Sequence, residues 1–86
     1  MPKISEFYGI IITMFWDEHP PPHFHARYGE HKAQIAIHQP HLLKGYLPPK
    51  ALGLVLEWAE LHQAELEREW QLARDEQPLF KIDPLK

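Results

Sequence analysis

Prolines constrain this chain more than any other feature. Pro20–Pro22 forms a stiff run with no backbone donors, Pro40 and Pro48–Pro49 bracket a short segment, and Pro78 stops whatever precedes it. Regular structure must therefore be built in the intervals between them. Ile4–Trp16 is rich in β-branched and aromatic residues and reads as strand, with Gly9 as a bulge or bend. His23–Tyr28 and His31–His38 alternate in opposite phase around Gly29-Glu30, which suits a two-residue hairpin turn. That loop sets a register: Tyr28 opposes His31, Arg27 opposes Lys32, Ala26 opposes Ala33, His25 opposes Gln34 and Phe24 opposes Ile35. Phe24, Ala26, Ala33, Ile35 and Ile37 then share one face. His23, His25, Arg27, Lys32 and Gln34 share the other, and a one-residue slip would destroy the segregation. Tyr28 falls on the Phe24 face and reads as core, with His31 on that face or at its rim. Leu42–Leu47 is a candidate further strand.

Pro49–Gln77 reads as one long helix, since proline suits a first helical turn and Pro78 forbids continuation. At ~1.5 Å per residue it would run ~40 Å, too long for the core of one small domain. One apolar stripe holds Leu52, Val55, Leu56, Ala59, Leu66, Trp70 and Ala73. A second holds Leu54, Trp58, Leu61 and Leu72. Two stripes require two partners, the sheet and either another subunit or the tail Leu79–Leu85 folded back. The second stripe is accordingly the expected interface. The expected fold is α+β: a small antiparallel sheet of three to four strands within 4–47, packed against one long C-terminal helix at about 49–77. An extended tail, 78–86, completes a single domain, 1–86.

The chain has no cysteine, so disulfides, thiolate metal sites and a Cys nucleophile are excluded. No apolar run approaches the ~20 residues of a membrane span, and nothing resembles a signal peptide, which makes the cytoplasm the expected location. Nine bases and twelve acids give a net charge of −3, becoming +4 if all seven histidines were protonated. Neither value suggests strong non-specific binding to nucleic acid. The acid excess is local: Pro49–Gln77 has three bases and seven acids, whereas the segment before it is balanced.

Six of the seven histidines lie between positions 19 and 41. On a strand, His23 and His25 point the same way with Cα atoms ~6.6–7 Å apart, close enough to share a divalent ion. His19, held by the proline run, could add a third nitrogen. Three such ligands with an open position is the pattern of catalytic zinc, and Asp17 or Glu18 could complete the site or orient a ligand. Against this, a half-exposed strand tolerates histidine without any ligand. A different chemistry starts from Arg27 and Lys32, directly opposed like charges that repel. A bound anion would relieve that repulsion, with His23 and His25 beside it as acid/base candidates for RNA cleavage. Gln34 completes the substrate-binding set; the bland alternative is that the long side chains splay into solvent. Phosphate loops, a nucleophile elbow and His-Glu-x-x-His are absent. His62 reads as a partly buried helix residue.

The chain resembles the bacterial domain-of-unknown-function family 4160, small single-domain proteins. The resemblance covers essentially the whole chain. It rests on Pro2–Ile10, on His19 through Gly29, on Leu47-Pro48 with Ala51 and the helix carrying Glu57-Trp58, and on Pro78-Leu79 with Ile82, Pro84 and Leu85. Its most specific part is His-Pro-Pro-His-Phe-His-Ala-x-Tyr-Gly; this chain has an extra proline in the run, and His38-Gln39-Pro40-His41 departs from the pattern. The motif positions carried over are His19, His23, His25, Arg27 and Tyr28, with no established catalytic role. The resemblance implies genomic pairing with a small protein of the 2442 family, as in candidate toxin–antitoxin modules. The leading expectation is therefore an interaction protein, a homodimer or half of such a pair, with a His/Arg face that binds or cleaves RNA or DNA and needs no cofactor. The alternatives are a metal-dependent hydrolase using a zinc-like ion on His19, His23 and His25, or a purely structural or regulatory subunit.

Overall fold

The computed structural model describes residues 2–16 and 18–86. Five strands form one antiparallel sheet in sequence order: β1 (Lys3–Phe7), β2 (Ile10–Thr13), β3 (His23–Tyr28), β4 (His31–Ala36) and β5 (Leu42–Gly45). Two helices follow, α1 (Pro49–Leu61) and α2 (Gln63–Arg74). The fold is thus α+β as expected, with a larger sheet and a divided helix.

The first departure is at Gly9. Ile4–Trp16 is a hairpin, with Phe7 pairing Ile10 across a two-residue turn. Tyr8 and Gly9 both have positive φ, 50° and 81°, as the twist-compatible hairpin turn demands. Tyr8 bears a steric cost there that glycine does not, and no Asn-Gly or Asp-Gly cue marks the turn. The β3–β4 hairpin has the register read from the sequence, from Tyr28↔His31 through Phe24↔Ile35. Phe24, Ala26, Ala33, Ile35 and Ile37 are all buried. Tyr28, however, is 38% exposed, because it lies at the turn end of the hairpin.

The second departure is at His62, where φ is −116° and ψ 31°. No proline or glycine marks the break. A continuous helix over 49–74 would run ~39 Å, longer than the 33 Å longest dimension that the bent chain has. His62 Nδ1 lies 2.6 Å from Glu65 Oε1, in the first turn of α2, and Gln63 donates its side-chain N–H to the Ile37 carbonyl. The break is thereby tied to the end of β4.

Bending lets one domain absorb both apolar stripes. Val55, Ala59, Leu66, Trp70 and Ala73 of the first are buried. Trp58 of the second is fully buried, 5.4 Å from the Phe7 ring and 5.6 Å from Phe24, with its indole N–H donating to the Asp83 carbonyl at 2.8 Å. Trp58 is a core residue, which corrects its placement in an outward stripe. Leu54 and Leu72 are half-buried and Leu61 is 66% exposed. The tail does fold back: Ile82 donates its N–H to the Ile4 carbonyl at 2.7 Å, and Ile82 and Leu85 join the core.

Candidate functional site

The helices cover one face of the sheet and the other is open. Register places Arg27 directly between Ile11 and Lys32, and His25 directly between Thr13 and Gln34. Gln34 in turn faces Lys44. Cations and polar residues from five strands are therefore collected in two adjacent rows on the open face. A groove of about 500 Å³ runs over it. Its polar rim is Lys3, Arg27 and Lys32, and Ile11 and Phe15 supply apolar surface.

Charge on this rim is unevenly satisfied. Lys3 Nζ is 2.7 Å from Glu6 Oε1, and that hydrogen bond and charge hold the Glu6 carboxyl below the usual carboxylate range. Arg27 and Lys32 are exposed and, among the described residues, have no carboxylate within ion-pair distance. Opposed positions on neighbouring strands hold Cβ atoms roughly 4.5–5.5 Å apart, so the two charges repel with no carboxylate among the described residues to offset it.

At the other end of β3 the open face is closed over. His23 is 6% exposed, with its ring 5.4 Å from Trp70 of α2. Its Nδ1 is 2.8 Å from the Pro21 carbonyl oxygen. A carbonyl can only accept, so Nδ1 carries a proton and donates it. Nε2 is buried without a hydrogen-bond partner and lies 3.6 Å from Glu18 Oε1. His25 Nε2 is in hydrogen-bond contact with the same oxygen. Phe15 meets the His25 ring edge-on, with centroids 4.5 Å apart, and the two imidazoles stand 5.3 Å apart. The three ligating atoms of Glu18, His23 and His25 all lie within 4.8 Å of one another.

Of the residues read from the sequence, the structure brings together His23, His25, Arg27, Lys32 and Gln34 on β3 and β4. His19 is exposed and stands outside the group, whose third member is Glu18. Asp17 lies outside the described residues. Phe15 and Trp70 pack against the two rings; spacing placed Trp70 in the first apolar stripe, but neither contact with a histidine was readable from the sequence. Those contacts depend on the loop before β3 and on the bend at His62.

Fold and site together define a small α+β protein whose sheet is covered by helices on one face and open on the other, with its polar side chains gathered on the open face. The family follows from comparison: the family described as "Domain of unknown function (DUF4160)" matches residues 9–71, and the chain belongs to it. Neither the curated proteins nor the solved structures contain a significant match. Among the described residues, no helix is long and apolar enough to cross a membrane.

Proposed function

We propose that this protein binds nucleic acid by docking a single-stranded phosphodiester backbone in the groove on its open face. The observation that carries the reading is the Arg27–Lys32 pair: two opposed, exposed cations with no carboxylate partner among the described residues, at the rim of a groove with apolar surface beside them. A phosphate between them would remove their repulsion, and a guanidinium matches its oxygens in bidentate fashion. Phe15 offers a ring face and Gln34 an amide to the bases. A net charge of −3 limits the contact to this face and to a short segment. Of the two histidines considered for acid/base work, His25 lines the groove and His23 does not.

With two phosphates neutralised, log K against log salt should have a slope of about −1.4 on single-stranded RNA. Arg27→Ala should weaken binding of a short fluorescent RNA and reduce that slope by about 0.7. Fluorescence anisotropy at several salt concentrations makes the measurement. A slope equal to wild type would remove Arg27 from the site.

A second observation favours a protein partner, a second copy of this chain. The outer edge of β5 has no neighbouring strand among the described residues. It exposes Leu42 and Leu43, with Tyr46 just beyond at 55% exposure. Natural edge strands are usually blunted by charge, proline or covering segments; here Lys44 alone interrupts the apolar run. An added antiparallel strand from a second copy would pair the edge and cover these side chains. Sedimentation should show a dimer that Leu43→Lys converts to monomer. A monomeric wild-type protein at ~100 µM, far above the dissociation constants of stable dimers, would refute it.

A further inference from the structure

We infer that Glu18, His23 and His25 form a binding site for a divalent transition-metal cation of the zinc type. Four observations converge. The ligating atoms already lie within 4.8 Å of one another; around a tetrahedral ion at bond lengths of about 2.0–2.1 Å they would stand about 3.3 Å apart. Side-chain adjustment of up to about 1.5 Å closes that gap. His23 Nε2 is buried without a hydrogen-bond partner and lies 3.6 Å from Glu18 Oε1. A buried ring nitrogen without a partner is costly, and a cation held between it and the partly exposed Glu18 carboxylate would supply one. The Nδ1–H of His23 donates to the Pro21 carbonyl at 2.8 Å, the arrangement that orients a metal-bound imidazole and raises its basicity. Finally, the donor set is two nitrogens and one oxygen with no thiolate, which suits zinc and its first-row neighbours and disfavours magnesium and calcium.

Three protein ligands leave at least one coordination position for water or substrate. His25 lines the same groove as Arg27 and Lys32, so the ion would adjoin the proposed phosphate path. The site does not depend on that reading: zinc can be titrated without nucleic acid, and Arg27→Ala leaves the three ligands intact.

The experiment is calorimetric titration of zinc into tag-free protein, with cobalt as a spectroscopic stand-in. One equivalent should bind tightly, and cobalt should give the intense visible absorption of a tetrahedral site. Glu18→Gln and His25→Gln alter partly exposed side chains and should fold as wild type by circular dichroism. Each should lower zinc affinity by more than the ~10–100-fold that a ligand's orienting partner is worth. His31→Gln, at the far end of the hairpin, should bind as wild type. No zinc uptake, the pale spectrum of octahedral cobalt, or affinity unchanged in both Glu18→Gln and His25→Gln would overturn the assignment. The last result would place the metal on the exposed histidines instead.

Discussion

Trp58→Ala is expected to destabilise the protein by about 3–5 kcal/mol, the cost of deleting a fully buried indole and leaving a cavity. The side chain has no solvent exposure and packs between Phe7 of β1 and Phe24 of β3. Its N–H also satisfies the Asp83 carbonyl at 2.8 Å, so the substitution loosens the tail as well as the core. An 86-residue domain has a total stability of roughly 4–13 kcal/mol, so the variant should lose a large part of it. Urea unfolding measures the loss. Leu61→Ala, on the same face in the sequence pattern but 66% exposed, should change stability by less than about 0.5 kcal/mol. A small effect at Trp58 would restore it to the surface, as an interface residue.

Glu69→Gln is expected to stabilise the protein above neutral pH and to remove a pH dependence. Glu69 is fully buried in α2. Oε1 accepts the Phe80 N–H at 2.9 Å, but Oε2 has no partner. Burial, with a smaller contribution from Glu65, raises its pKa from 4.5 to about 7, against the opposing pull of the Phe80 N–H. Between those two values the folded state keeps a proton that the unfolded chain has lost. Stability therefore falls as pH rises from about 4.5 and levels off beyond about 7. The full shift corresponds to roughly 3 kcal/mol. The glutamine amide keeps an acceptor for Phe80 without the buried charge. Urea titrations of both proteins from about pH 4 to about pH 8, spanning the shift, should show near-equal stability at the acid end and a gap opening in favour of the variant toward the alkaline end. A constant difference across the range would show that Glu69 has the same pKa folded as unfolded. This residue was not legible in the sequence, where position 69 sits among Glu65, Glu67 and Arg68 as one more solvated charge. It is buried because the chain reverses after α2 and lays Phe80 against that helix.

The β3–β4 hairpin was the most legible element. Its two strands share a period of two, and only one register sorts apolar from polar side chains, so Arg27 and Lys32 could be placed opposite one another from the sequence alone. The β1–β2 hairpin was not legible, because β2 is apolar at successive positions and Tyr8-Gly9 is an uncommon turn pair. The interface reading of Trp58 failed for a related reason. The buried face of α1 is broad enough to hold Ala51, Val55, Trp58 and Ala59 together, so the two stripes drawn from the period are not separate faces there. At the candidate metal site, His23 and His25 were visible as neighbours at i and i+2, whereas choosing Glu18 over His19 required the path of the loop before β3.

Composition and pattern by themselves determined the α+β class, the central register and the exclusion of any cysteine thiolate as ligand or nucleophile. They also placed His23, His25, Arg27, Lys32 and Gln34 on one face, because strand alternation is a local property of the backbone. Only the tertiary structure decided that Trp70 packs on His23, that Glu18 reaches both imidazoles, and that Glu69 loses its solvent. Each of these depends on loop paths and on elements packed from elsewhere in the chain, which no local period encodes.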